Sequence, residues 1–264
     1  PPFQAEDGIR DQGDGLVGSE MCIRDREMAR YVEQGILDCA ITGLDWLLET
    51  GADVAQLADL KAPWPNYGTV RWVMASKEGS PFDDVKDLEG KRIATEAVGM
   101  TQRFLDEHKV NSNVEFSWGA TEVKPPTLAD AIVDVSETGS SLRANNLKVM
   151  HVVLESTPRF IANHSSMADV WKQAKIKHLQ MLLMGAIRAA TRVTLAMNVP
   201  CKCVDEVLAL LPALSTPTVS TLADENWVDI STVVEEKLVR DLIPKLHEAG
   251  ARGIIEMPIN KIID

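Results

Sequence analysis

The sequence predicts an α/β protein in which a ferredoxin-like βαββαβ domain follows a larger sheet-and-helix part. Three observations lead there. A short apolar run at 36–41 (ILDCAI) meets a Thr-Gly turn and then an apolar helix, the strand–turn–helix step of a sheet whose strand ends face a ligand. A second apolar strand at 131–135 (AIVDV) ends in a Gly-hydroxyl turn. From about residue 191 the pattern runs strand, helix, two strands, helix, strand.

In chain order, residues 27–34 read as a helix with Met28, Tyr31 and Val32 on one face, stopped by Gly35. The run at 36–41 fits a buried strand, and Thr42-Gly43-Leu44-Asp45 leads into a helix through 46–48. Residues 70–76 form a strand, and 80–89 a polar connection. A second unit opens with a strand at 91–95, then a helix at 100–108, an alternating strand at 114–118, a short helix at 127–131 and the strand at 131–135. Strands at 148–155 and 159–162 precede a long helix at 168–193. There Val170, Ala174, Ile176, Leu179, Leu182, Leu183, Ala186 and Ala190 keep near-helical spacing. In the C-terminal part, strands at 194–198, 218–222, 227–234 and 253–256 alternate with helices at 204–211 and 236–247, and Gly250 stops the second helix. The expected divisions are 27–90, 91–167 and 191–264, with part of the helix at 168–190 returning to the first.

Residues 1–26 behave differently, holding four Gly and no sustained period of 2 or 3.6. They are either a flexible tail or, the reading favoured here, translated sequencing-adapter read-through, which AEDGIRD and VGSEMCIRDR resemble. On that reading the native start is absent and the protein proper begins near Glu27.

Composition narrows the function. Of 264 residues 45% are hydrophobic, ordinary for a globular chain. The net charge of −12, from 39 acidic and 27 basic residues, argues against a general nucleic-acid binder. No apolar run reaches the ~18–20 residues of a membrane span, and no signal peptide is visible, so a cytoplasmic location is expected. Cys22, Cys39, Cys201 and Cys203 match neither a disulfide framework nor a zinc spacing. Cys201-Lys-Cys203 is read as structural rather than as a metal or redox pair. The five His residues are scattered, with no i, i+4 pair to bind metal on a helix.

Chemistry concentrates at 128–147 (LADAIVDVSETGSSLRANNL). A helix start offers unpaired N–H groups and a partial positive charge. Gly139 lets the backbone approach a ligand closely, and Thr138, Ser140 and Ser141 add hydroxyl donors. Together they can cradle a phosphate without Lys. Asp134, just before the turn, can accept hydrogen bonds from ribose hydroxyls. The same residues also suit an ordinary helix cap.

The run DVSETGSSLRANNL closely resembles the phosphoribosyl-diphosphate loop of ATP phosphoribosyltransferases of the long form. EVKPPTLADAI (122–132), YVEQGILDCAITGLDW (31–46), LAMNVP (195–200), LLPALSTPTVS (210–220) and AGARGIIEMPINKII (249–263) resemble the same family, so the likeness covers residues 27–264. It implies an enzyme that joins N1 of the ATP adenine to C1 of phosphoribosyl diphosphate and releases pyrophosphate, the first step of histidine biosynthesis. The implied catalytic half is a two-lobed α/β structure similar to periplasmic binding proteins, and the C-terminal domain binds histidine and inhibits. Asp134 would hold the ribose, with Glu137 in the same loop, and Thr138, Gly139, Ser140, Ser141 and Leu142 the 5-phosphate. Thr42, Gly43 and Asp45 would serve the nucleotide or diphosphate side. Arg71, Thr95 and Glu122 are further candidates there, which an ion pair or a cap would equally explain. Histidine contacts would fall near Asn198, Leu214, Thr218 and Gly253. Mg²⁺ would neutralise the departing pyrophosphate as part of the substrate, with no protein ligand assigned. No general base is named, because aligning two anionic substrates and stabilising the departing charge is the main task.

The resemblance also implies homo-oligomers, dimers and hexamers. Three departures stand out. If residues 1–26 are foreign, the family's opening strand and helix are missing, which puts this chain's activity in doubt and leaves a sheet edge and apolar surface exposed. Pro125-Pro126 lies where the family varies in length, and Asn146 stands where it usually has Gly. Two other readings stay open: a non-catalytic solute-binding protein of the same bilobal fold, and a stand-alone amino-acid sensor. The Gly-hydroxyl turn and the ferredoxin-like tail favour the enzyme.

Overall fold

The computed structural model describes residues 25–63, 69–136, 139–212 and 216–263. The chain divides into two compact units, one of residues 1–62 and 66–180, the other of 63–65 and 181–264.

The first unit opens with α1 (Asp25–Glu33), β1 (Cys39–Gly43), α2 (Leu44–Thr50) and β2 (Ala55–Asp59). Next come β3 (Val70–Lys77), β4 (Arg92–Thr95), α3 (Val98–His108) and β5 (Asn113–Phe116). It continues through β6 (Ala131–Ser136), α4 (Ser140–Ala144), β7 (Leu147–Ser156), β8 (Pro158–Ala162) and α5 (His164–Ala168). These strands make two sheets, hence two lobes: β1-β8-β2, all antiparallel, and β5-β4-β6-β3-β7. In the larger sheet β4 runs parallel to β5 and β6, while β3 is antiparallel to β6 and β7.

The period-2 rule explains the larger sheet. Trp72 and Met74 of β3 point to one face, where they pack with Leu88, Ile93, Leu105 and Val133. Val73 and Ala75 point to the other, with Ala94, Ile132, Leu142 and Leu147. In the smaller lobe α1 buries Ala29 and Val32 against Leu47 and Ile161. Each large side chain so buried stabilises the fold by roughly 1.5–3 kcal/mol.

The second unit carries β9 (Arg192–Pro200), α7 (Val204–Leu210), β10 (Thr218–Thr221), β11 (Trp227–Glu235), α8 (Glu236–Glu248) and β12 (Arg252–Pro258). Their sheet order is β10-β11-β9-β12, the ferredoxin-like arrangement of βαββαβ. Val193, Leu195, Met197 and Val199 of β9 and Val228, Ile230 and Val234 of β11 face the two helices. Between the units in sequence, helix α6 (Val170–Ala189) begins in the first and ends in the second. Its first turns tie to the smaller lobe through Lys172 Nζ to Asp38 Oδ1 at 2.7 Å and Gln180 Nε2 to Leu57 O at 2.7 Å.

The α/β class and the C-terminal topology match the sequence reading; four details do not. The run at 36–41 is not a buried strand: β1 begins at Cys39, and Ile36 and Ile41 are 64% and 44% exposed, because β1 is an edge strand pairing only with β8 among the described residues. Strand β3, grouped by sequence with the first lobe, is central to the other sheet, where both its edges are paired. No helix forms at 127–131: after the cis Pro125-Pro126 bond the Asp130 N–H bonds Arg92 O at 2.9 Å and draws the chain into β6. The long helix expected at 168–193 forms but is shorter, Val170–Ala189: Asp169 before it is extended, its carboxylate accepting from Lys172 N at 2.8 Å, and Arg192 and Val193 already belong to β9. Strand β2 has too short an alternation to be read from sequence.

Candidate active site

Two strand–turn–helix junctions of the first unit carry the predicted residues. At the first, β1 runs into α2. Gly43 is extended there, with φ −73°, so its backbone does not require glycine. Asp45 does: a Cβ at residue 43 would overlap Asp45 Oδ1. Asp45 is buried, and both carboxylate oxygens are used. Trp72 Nε1 donates to Oδ2 at 2.8 Å and Trp46 N to Oδ1 at 3.0 Å, while Asp45's own N–H donates to Ser156 Oγ at 3.1 Å. Thr42 is equally buried. Thr42, Gly43 and Asp45 nevertheless line a cavity of about 280 Å³, together with Ile41, Trp46, Val70, Ser156, Thr157 and Pro158.

At the second junction β6 ends at Ser136, and α4 starts after Gly139, which is left-handed at φ 70° and makes no side-chain cap. The first N–H groups of such a helix have no intrahelical acceptor. Ser140 and Ser141 are exposed, and Leu142 anchors the turn in the core with Val73, Ile132 and Leu147. Glu137 and Thr138 lie outside the described residues. Asp134 is half-buried. Burial pushes its carboxyl up to about 6; the Val135 N–H, donating at 2.7 Å, pulls the other way, and the charges of Glu122 and Glu96 push up further.

The other candidates separate into two groups. Arg71 is exposed and pairs in register with Ser136, on the same face as Asp134, so the sheet brings it to the turn. Glu122, in the 3₁₀ turn Thr121–Val123, is close enough to influence Asp134. Thr95 is fully buried, and its Oγ1 accepts from Ala97 N at 3.1 Å, so it caps the chain after β4 and offers nothing to a ligand. Sequence reasoning missed Glu96, which accepts from Arg26 Nη2 at 2.7 Å and Gly119 N at 3.2 Å. The Arg26 guanidinium lies 4.9 Å from the ring centroids of both Trp46 and Trp118. The signal was position: Glu96 directly follows the end of β4, where open sheets bind ligands.

In the second unit Asn198 and Gly253 come together. A Cβ at Gly253, itself left-handed at φ 56°, would lie 3.8 Å from Asn198 Nδ2. Thr218 is on the edge strand β10, opposite Ser231, on the sheet face that Asn198 shares through Asp229. Leu214 lies outside the described residues. Cys201 donates its thiol to Glu225 O at 3.3 Å and Cys203 packs on the core, in keeping with a structural pair.

The ATP phosphoribosyltransferase (HisG) family model matches residues 24–185, and the model described as HisG, C-terminal domain, matches 189–261. ATP phosphoribosyltransferase of Prosthecochloris aestuarii is 54% identical over 242 residues, 92% of this chain and 82% of that protein. That of Solibacter usitatus is 53% identical over 243 residues, 92% of this chain and 84% of that one. Among solved structures, the ATP phosphoribosyl transferase (HisG:HisZ) complex from Thermotoga maritima superposes with a TM-score of 0.52 at 26% identity, over 60% of this chain and 74% of that chain. Two family models in order over nearly the whole chain, and identities above one half, make this chain a member of the ATP phosphoribosyltransferase family, the pentosyltransferases of histidine biosynthesis.

Proposed function

We propose that the chain transfers the phosphoribosyl group of phosphoribosyl diphosphate to N1 of ATP, with release of pyrophosphate. The observation that carries this reading is the glycine turn that leads from β6 into α4. Gly139, in the left-handed conformation, turns the backbone into a helix start at Ser140, Ser141 and Leu142, suited to the 5-phosphate. Asp134 lies on the strand leading into it, suited to the ribose hydroxyls, and Arg71 lies across the sheet from Ser136, suited to a second anionic group. Glu137 and Thr138 complete the loop in sequence. Thr42 and Gly43 offer the wall of the neighbouring cavity, while Asp45 acts through Trp72 and Trp46, which it holds in place.

The bond to pyrophosphate breaks as the adenine N1 lone pair approaches C1, so charge develops on the leaving diphosphate and on the ribose ring. Mg²⁺ enters with the diphosphate as part of the substrate. The protein aligns the two reactants and stabilises the departing charge, and no side chain has to remove a proton from the nucleophile. Histidine is the inhibitor that fits the resemblance, with Asn198, Thr218, Gly253 and, by sequence, Leu214 around it. Homo-oligomeric assembly, to a dimer or hexamer, belongs to the same reading, and light scattering measures it.

Pyrophosphate release from ATP plus phosphoribosyl diphosphate, assayed with a native family N-terminus joined ahead of Glu27, tests the proposal. Release that requires both substrates supports it. No release, with tight binding of another solute, favours the solute-binding alternative.

A further inference from the structure

In sequence the five His residues are scattered, but the fold brings two of them together in the larger lobe. His108 is the last residue of α3, and His151 sits in β7, opposite Met74. Their ring centroids are 5.6 Å apart, with the rings at 72°. Phe104, one helical turn before His108, touches both rings, at 4.2 and 5.2 Å between centroids. The hydrogen bond of His108 decides its tautomer. Its Nδ1 lies 2.8 Å from Phe104 O, and a carbonyl can only accept, so Nδ1 carries the hydrogen. In the neutral ring Nε2 then keeps its lone pair. Metal-binding imidazoles are commonly oriented this way, by a backbone carbonyl or carboxylate on the other nitrogen. His151 is exposed, and among the described residues ring contacts alone hold it, so its ring can turn to meet a shared ion.

We propose that His108 and His151 together form a Zn²⁺ site, separate from the Mg²⁺ that enters with the diphosphate. Two imidazoles on one tetrahedral ion, with nitrogens at about 2.0–2.1 Å from it, have ring centroids about 5 Å apart. The pair already stands near that separation. Charge favours a cation here as well. His108 closes α3, where the last carbonyls leave a partial negative charge. Asp106 and Glu107 precede it, outnumbering Lys109 after it, and the whole chain carries a net charge of −12. No third His, Cys, Asp or Glu completes a metal cluster among the described residues, so water fills the remaining positions, as at an open zinc site. Imidazole nitrogens suit zinc, copper or nickel, whereas Mg²⁺ prefers oxygen. The ion ties the end of α3 to β7, two elements that sequence alone does not connect. The inference stands apart from the transferase reading and does not depend on it.

Calorimetry with Zn²⁺ on the full chain, its accessible thiols alkylated beforehand, tests the site. The parent is compared with His108→Gln, His151→Gln, the double variant and a control, His178→Gln, whose residue lies on another helix, α6. We expect the parent's tightest Zn²⁺ site to weaken about tenfold or more in either single variant. The double variant loses little beyond that, because one missing ligand already opens the chelate. His178→Gln binds as the parent does, and an excess of Mg²⁺ does not displace the Zn²⁺. Zn²⁺ also raises the thermal midpoint of the parent more than that of His151→Gln. Because His151 is exposed, its replacement folds as the parent does, and the test stands even if His108→Gln disturbs the packing on Phe104. Unchanged Zn²⁺ affinity in His151→Gln, an equal loss in His178→Gln, or displacement by Mg²⁺ overturns the inference.

Discussion

The two junctions of the first unit share a plan: strand, glycine, short polar stretch, helix. They differ in what the polar groups do. At β1–α2 the acid is buried and fully bonded, and glycine is required because Asp45 occupies the space a side chain would take. At β6–α4 the glycine is required by its left-handed backbone, the hydroxyls face outward, and the acid is half-buried beside two like charges. The first junction therefore spends its carboxylate on the fold, while the second sets Ser140 and Ser141 at the surface. A Gly-turn motif alone does not say which case applies; the bonding of the neighbouring carboxylate does.

Substituting each glycine should pull the two apart. Gly43→Ala displaces Asp45 from Trp72 and Trp46 in a packed site, so we expect a loss of about 3 kcal/mol in stability, read from the urea midpoint of the first unit. Gly139→Ala forces an alanine into the left-handed region at a cost of about 1–2 kcal/mol. Among the described residues the Cβ comes close to the end of the flexible Arg143 side chain, at 3.0 Å, and makes ordinary contact with Ser136 Oγ at 3.8 Å, so the fold survives. Its main effect should fall on substrate, with KM for phosphoribosyl diphosphate rising about tenfold or more in the pyrophosphate assay. Equal stability losses in the two variants, with no change in KM for Gly139→Ala, would erase the contrast.

Much of this contrast was legible in the sequence, and the reasons for the rest are physical. The β6–α4 turn was found because its hydroxyls, glycine and acid lie within one short segment. The C-terminal domain was found because its strands alternate cleanly, as Val193, Leu195, Met197 and Val199 do. The role of Asp45 was not legible, because its partner Trp72 is on another strand, 27 residues away. Thr95 looked like a site residue for the same reason a cap does: both stand at strand ends. Strand β3 was misplaced because a strand's pattern shows that it is buried, not which neighbours pair with it.

The raised Asp134 carboxyl gives the open junction a pH signature. A carboxyl whose folded pKa lies above its unfolded value holds its proton longer when folded. It therefore favours the folded state at low pH and loses that contribution as pH rises from about 4 through about 6. Asp134→Asn removes the effect. Relative to the parent, the variant should gain stability as pH rises across that window, by about 1 kcal/mol or less, because a half-exposed group is screened. Paired urea titrations at pH 4 and pH 7 measure the difference. A gap that does not change with pH, or that changes in the opposite sense, would mean that burial, with Glu122 and Glu96 nearby, does not raise this carboxyl.

The smallest effect comes from a third helix start, at α3, where the protein supplies its own anion. Glu49 of α2 accepts from Gly99 N at 3.0 Å and Met100 N at 2.7 Å, one carboxylate oxygen each. That is how an anion sits on a helix N-terminus. Glu49→Gln keeps the shape and removes the charge, so we expect a loss of about 0.5 kcal/mol at low ionic strength. The loss should shrink in 1 M salt, where the Debye length falls to about 3 Å. If the carboxylate at α3 does in the protein what a phosphate does at α4, Glu49→Gln should leave KM for phosphoribosyl diphosphate unchanged, while Gly139→Ala should raise it. A rise in KM from Glu49→Gln would mean instead that α3 also faces the substrate and that its carboxylate gives way when the substrate binds.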